Sequence, residues 1–121
     1  NLSKRILFLS VREDAISILK ASDIVVMSSN FEGFGLAAVE GMAAGKPVIA
    51  SDVEGLSNIV EGAGLLFEPH NEKDLAAKIR LLMEDQLFYK RVSVNNGVKN
   101  VMYPLWGIVT INCINPCVDE Y

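Results

Sequence analysis

One histidine and two cysteines are the only imidazole and thiol ligands among 121 residues. Cys113 and Cys117 with His70 cannot complete a four-ligand zinc site, and two thiols are too few for a disulfide framework. Both cysteines are expected to be ordinary buried or half-exposed thiols, and His70, in a Glu68-Pro69-His70-Asn71 loop, to be solvated. Basic charge is also scarce. Eleven Lys and Arg stand against fifteen Asp and Glu, a net charge of −4 with no basic stripe, which excludes a general nucleic-acid surface. The uncharged tract from Val101 to Val118 is broken by Pro104, Gly107, Pro116 and two asparagines. It does not read as a membrane span, which needs about 20 predominantly apolar residues. Repeats and low-complexity tracts are missing, as are an initiating methionine and a signal peptide, so the chain is expected to be a piece of a larger protein.

Half of the residues are hydrophobic, enough for one core, and residues 1–121 read as a single domain. The pattern alternates. It predicts strands at Ile6–Leu9, Ile24–Met27, Val48–Ala50 and Leu65–Phe67, and helices at Asp14–Ala21, Leu36–Ala44 and Glu72–Glu84, with a short helical turn near Ser57–Val60. Asn71 is placed to cap the last helix, whose inward face is Leu75, Ile79 and Leu82. This order implies an α/β fold, a Rossmann-like parallel sheet with helices on both faces. From about residue 92 onward lies an atypical apolar tail, in which Tyr103, Trp106, Ile108, Val109 and Ile111 are expected to cover the sheet or to dock on a partner domain.

The chemistry concentrates between Ser29 and Pro47. Glu32-Gly33-Phe34-Gly35 is a glycine-rich turn at the mouth of a helix in which Leu36, Val39 and Ala43 recur with helical spacing, while Ala37, Ala38 and Met42 cover other faces. Such a helix is buried on nearly all sides, with Gly45 and Pro47 as its stop. Glu40 is its only charged residue, and a buried carboxylate must pair, shift its pKa or face a cleft. Glycines at 33 and 35 let the backbone take φ > 0 and let a ligand come close. The free N–H groups and dipole of the first helical turn attract phosphate. The preceding strand would set this turn at a carboxyl end, where open α/β sheets bind their ligands. Plainer readings stay open: a tight turn and nothing more, Glu40 as a core acid paired with an Arg or Lys, Glu32 as a solvated loop acid.

The stretch Glu32-Gly33-Phe34-Gly35-Leu36, with Glu40-Gly41-Met42-Ala43-Ala44-Gly45-Lys46-Pro47-Val48-Ile49-Ala50-Ser51, resembles the C-terminal, donor-binding domain of retaining GT-B glycosyltransferases of the "glycosyltransferase group 1" family. The resemblance runs from about Arg5 to about Arg91, roughly the second half of that domain. Glu32 and Glu40, eight residues apart, match the family's Glu-x7-Glu motif. It implies that Glu32, the residue taken as catalytic, contacts hydroxyls of the donor sugar and that Glu40 hydrogen-bonds the nucleotide ribose. The backbone of Gly33, Phe34, Gly35 and Leu36 would receive the diphosphate or the sugar. Arg12-Glu13-Asp14 resembles the family's arginine-acid turn, and Trp106 an aromatic often found before its last helix.

The resemblance implies a metal-independent hexosyltransferase with no cofactor beyond its UDP- or GDP-sugar substrate. The sugar or lipid-linked acceptor would be held mainly by an N-terminal domain that this chain does not contain. It also implies a role in polysaccharide biosynthesis, with a cytoplasmic or membrane-peripheral location. Alternatives are a non-catalytic nucleotide-sugar-binding module, or another GT-B protein such as a sugar epimerase. The family's diphosphate-binding Arg and Lys belong to elements upstream. Lys4 and Arg5 are poor substitutes if they begin a strand, the end away from the ligand. Two positions depart from the family: Glu54 replaces a glycine and brings negative charge toward a phosphate site, and Asn58 replaces an acid.

Overall fold

A computed structural model describes residues 3–95 and 109–111. In chain order the elements are α1 (Ala15–Ala21), β1 (Ile24–Met27), α2 (Leu36–Ala43), β2 (Val48–Ser51), α3 (Ser57–Val60), β3 (Leu65–Phe67), α4 (Glu72–Glu84), α5 (Gln86–Asn95) and β4 (Val109–Ile111). The sheet order is β3-β2-β1-β4. β1 and β2 are apolar along nearly their whole length and buried at every residue, as expected of strands covered on both faces. They pair in parallel with Val25 opposite Val48 and Met27 opposite Ala50, and β2 pairs in parallel with β3 from Ile49–Leu65 to Ser51–Phe67.

Alternation along the strands divides the core in two. On one face Val25, Met27, Val48 and Ala50 pack with Leu19 of α1, Ala38 and Met42 of α2, and Leu56 and Val60 around α3. On the other, Ile24, Val26 and Ile49 pack with Phe67, Leu82 of α4 and Val92 of α5, with Leu75 and Ile79 alongside. The parallel three-strand α/β sheet with helices on both faces is therefore present. A fully buried side chain such as Ile49 contributes on the order of 1.5–3 kcal/mol.

Three expectations are corrected. Ile6–Leu9 forms no strand: a 3₁₀ turn at Ser3–Arg5 is followed by irregular chain. Its side chains are exposed, Leu7 at 80 % and Phe8 at 90 %. A strand needs a neighbour, and the free edge of β1 is taken by β4, antiparallel, with Val26 opposite Val109. Lys4 and Arg5 consequently do not begin a strand, and the reason for setting them aside lapses. Second, Val109 and Ile111 extend the sheet at its edge and belong to no covering layer; Tyr103, Trp106, Ile108, Cys113 and Cys117 lie outside the described residues. Third, α5 is an additional helix. The Phe88 N–H donates to Asp85 Oδ1 at 2.8 Å at its start, and the Tyr89 hydroxyl donates to the Asp23 carbonyl at 2.8 Å, tying the helix to the entry of β1.

α2 starts where expected and ends one residue early, at Ala43, and it is not buried on nearly all sides. Ala37, Ala38, Gly41 and Met42 are buried, Leu36 and Val39 are half-buried, and Ala43 is exposed. Gly41 sets which face lies inward. A β-carbon there would lie 3.1 Å from Val48 Cγ2 and 3.2 Å from Val25 Cβ, so the helix backbone rests directly on the two central strands. The helix ends in a Schellman turn: Gly45 takes φ 74°, its N–H donates to Met42 O, and that of Lys46 donates to Gly41 O.

Candidate functional site

The turn between β1 and α2 is built by two glycines on different loops. Gly35 is the N-cap of α2 at φ 61°, in the left-handed region. It has no side chain, so no capping group covers the first amides of the helix. A β-carbon on Gly35 would lie 2.9 Å from Leu56 Cδ2, 3.1 Å from the Gly55 carbonyl oxygen and 3.2 Å from Ile59 Cδ1. Gly55, in the loop between β2 and α3, takes φ 90°, and a β-carbon on it would overlap the Glu32 carbonyl oxygen. Gly33 carries no positive φ and has open space where a side chain would stand. Of the two glycines that leave φ > 0 open to the backbone, only Gly35 takes it. The approach to the turn is fixed by the Ser51 hydroxyl, which donates to the Ser29 carbonyl at 2.6 Å.

Glu32 is half-buried on this turn between two exposed rings, Phe31 at 84 % and Phe34 at 68 %. Glu32, Gly33, Phe34, Gly35 and Leu36 thus form one continuous ledge, and Glu40 follows one helical turn beyond Leu36. Glu40 is only 8 % exposed, and both of its carboxylate oxygens are buried without a hydrogen-bond partner. Burial pushes its pKa above the ordinary value of 4.5. The core ion pair that was one reading of Glu40 is not formed among the described residues.

The other residues singled out in the sequence are peripheral. Arg12 and Asp14 form a bidentate pair, Nε to Oδ1 at 2.6 Å and Nη2 to Oδ2 at 2.8 Å, at the start of α1. That contact holds the Asp14 carboxyl below its usual range and the Arg12 guanidinium above its own. Glu54 and Asn58 are exposed. His70 is exposed with φ 61°, in a turn closed by the Asn71 N–H on the Glu68 carbonyl. It lines a cavity of about 260 Å³ at the carboxyl ends of the strands, with Ser28, Asn30, Ser51, Phe67 and Leu75. None of Glu32, Gly33, Phe34, Gly35, Leu36 and Glu40 lines that cavity. Among the described residues no cluster of His, Cys, Asp or Glu is arranged to hold a metal ion, and no helix is long and apolar enough to cross a membrane.

Sequence reasoning located the turn and the buried acid but missed Gly55 and Ser51. Gly55 had a readable signal, a glycine in the polar loop that follows β2. Its partner, the Glu32 carbonyl, is 23 positions away and becomes visible only in three dimensions.

A parallel sheet covered on both faces, with a glycine turn and an unpartnered buried acid at the exit of a central strand, has the form of the GT-B glycosyltransferase fold. Solved structures bear this out. The chain superposes on Anabaena HepE in complex with UDP and glucose with a TM-score of 0.75 at 34 % identity, covering 78 % of this chain and 27 % of that one. The C-terminal domain of a glycosyl transferase group 1 family protein (LpcC) from Francisella tularensis gives a TM-score of 0.66 at 33 % identity, covering 75 % of this chain and 48 % of that one.

The chain belongs to the family of glycosyl transferases group 1, whose sequence pattern matches residues 1–99. The match extends beyond the Arg5-to-Arg91 stretch in which the likeness is readable by eye. Among curated relatives, the N,N'-diacetylbacillosaminyl-diphospho-undecaprenol alpha-1,3-N-acetylgalactosaminyltransferase of Campylobacter jejuni is 35 % identical over 98 residues, 79 % of this chain and 26 % of that protein. The D-inositol 3-phosphate glycosyltransferase of Nocardia farcinica is 38 % identical over 97 residues, 77 % of this chain and 22 % of that protein. The chain spans about a quarter of the length of these relatives.

Proposed function

We propose that this chain is part of the donor-binding domain of a retaining, metal-independent glycosyltransferase that takes a UDP- or GDP-sugar and transfers the sugar to a sugar or lipid-linked acceptor. The observation that carries the reading is Glu40: a carboxylate 8 % exposed, with neither oxygen bonded, on the helix that the glycine turn opens. A vicinal diol such as that of a ribose supplies two O–H donors, the complement of those two acceptors. Glu32 contacts the donor sugar's hydroxyls. The backbone from Gly33 to Leu36, at the positive end of α2, stabilises the departing diphosphate. HepE, solved with UDP and with UDP-glucose, supports a nucleotide-sugar donor. The undecaprenol-linked substrate in the name of the Campylobacter relative supports a lipid-linked acceptor and membrane-peripheral work.

The acceptor is held by a domain outside this chain, which alone is expected to be inactive. Calorimetry with UDP, GDP and ADP on the parent and on Glu40→Ala tests the ribose contact. Binding of one nucleotide, weakened about tenfold or more by the substitution, is expected, since charge-assisted hydrogen bonds contribute about 1.5–3 kcal/mol. Binding unchanged in Glu40→Ala would sink the assignment. For Glu32, transfer by the intact enzyme decides: full activity in Glu32→Ala removes it from the site.

A further inference from the structure

We infer that Gly55 is a positioning residue: it fixes the Glu32-to-Gly35 ledge from below, by a contact that a side chain at position 55 would abolish. The inference deepens the proposed function, since it rests on Glu32 as the sugar-contacting acid.

The two loops are keyed together by direct backbone contact. At φ 90°, Gly55 holds its Cα against the backbone of the ledge, where an added β-carbon would overlap the Glu32 carbonyl oxygen and lie 2.9 Å from the Glu32 carbonyl carbon and 3.3 Å from that of Gly33. The obstruction is backbone, which cannot swing aside as a side chain does. In return the ledge offers its own missing side chain. Gly35 leaves room for Leu56, Ile59 and the Gly55 carbonyl, and Leu56 is fully buried in the core beneath. The β2–α3 loop is itself anchored, because the Leu56 and Ser57 N–H groups both donate to the Val53 carbonyl and the Ser57 hydroxyl donates to Asp52 Oδ1 at 2.6 Å. An anchored loop seated against the carbonyl of Glu32 sets the position of that residue's backbone, and through it the reach of the carboxylate. A displacement of about 1 Å of a positioned group can cost about a hundredfold in function.

Gly62 provides the control. Its φ of 80° is close to that of Gly55, it lies just past α3, and a β-carbon there would meet nothing within 4 Å. Alanine at either site carries the strain of a left-handed residue; only alanine at 55 strikes the ledge. The experiment compares amide hydrogen exchange and chemical shifts across Phe31–Gly35 in the 121-residue chain and in its Gly55→Ala, Gly62→Ala and Ser57→Ala variants. Ser57→Ala removes the hydroxyl that anchors the loop carrying Gly55, and keeps the inference testable should Gly55→Ala fail to fold. Gly55→Ala is expected to speed exchange across the ledge about tenfold relative to Gly62→Ala at equal residual stability, and Ser57→Ala to shift the same amides less. Equal behaviour of Gly55→Ala and Gly62→Ala overturns the inference. If Gly55→Ala does not fold, ledge amides unmoved in Ser57→Ala overturn it.

A second arm separates this from the reading beneath it. The affinity of UDP-glucose relative to UDP should fall in both Glu32→Ala and Gly55→Ala and hold in Gly62→Ala. A ratio unmoved in Glu32→Ala counts against the role of Glu32. A ratio moved in Glu32→Ala and unmoved in Gly55→Ala counts against Gly55.

Discussion

Replacing Glu40 with methionine should stabilise the unliganded chain at neutral pH. Methionine has a similar volume and no polar hydrogen-bonding requirement, so the swap conserves packing on α2. What it removes is a carboxylate 8 % exposed with both oxygens unpaired, a desolvation penalty of about 1–3 kcal/mol or more for a charged group. The pH dependence follows from the direction of the pKa. Burial holds the folded-state value above the ordinary 4.5, so between 4.5 and the folded value the native chain keeps a proton that the unfolded chain has lost. Stability contributed by this group is complete below pH 4.5, is lost as pH rises through the folded pKa, and stays lost above it, at about 1.4 kcal/mol for each unit of displacement. The gain from methionine should therefore be large at pH 8 and smaller at pH 4. Urea denaturation of parent and variant at both pH values, followed by circular dichroism, measures it. A gain of the same size at both, or a loss at pH 8, would refute the picture of an unpaired buried charge. If Glu40 holds the ribose as proposed, the more stable variant should also bind nucleotide about tenfold or more weakly, a site kept at the expense of stability.

Two further substitutions test how the ledge and the second layer of helices are held. Asn71→Ala removes a cap in which Asn71 Oδ1 accepts from the Asp74 N–H at 3.0 Å and Asn71 Nδ2 donates to Glu68 Oε2 at 2.6 Å. It should cost about 1 kcal/mol in thermal unfolding, with Asn71→Asp retaining most of it; an unchanged melting temperature in Asn71→Ala would contradict the capping geometry. Gly35→Ala combines left-handed strain of about 1–2 kcal/mol with a contact of 2.9 Å to Leu56 Cδ2. It should therefore be destabilising in urea, and a loss below about 0.5 kcal/mol, the level of an inert surface change, would show that Gly35 is free to reorganise.

What the sequence shows and what it hides divide along a physical line. Ile24–Met27 and Val48–Ser51 are buried on both faces, and a run of β-branched and apolar residues of that length between polar turns has few other readings. Asn71 before Glu72 is a local signal, legible because a cap involves only its own next residues. Ile6–Leu9 has the same apolar character as β1 and is not a strand, because pairing depends on a partner edge and not on propensity. The inward face of α2 turned on Gly41, whose lack of a side chain matters only once Val25 and Val48 lie beneath it. At the site, the burial of Glu40 was readable from its apolar neighbours, whereas the seat that Gly55 provides for Glu32 joins two loops with no local pattern in common.

The exposed stretch at the start of the chain bears on handling in the test tube. Ile6-Leu7-Phe8-Leu9 is uncharged, free of proline and rich in residues that favour β-structure, and its side chains stand in solvent at 46–90 % exposure. Such segments are templates for cross-β stacking between identical chains. Lys4 and Arg5 stand before it and Arg12, Glu13 and Asp14 after it, the arrangement of flanking charges that acts as gatekeeper against self-association. The charges that bracket this segment are therefore the chain's local defence against aggregation, and salt, which screens them, weakens that defence.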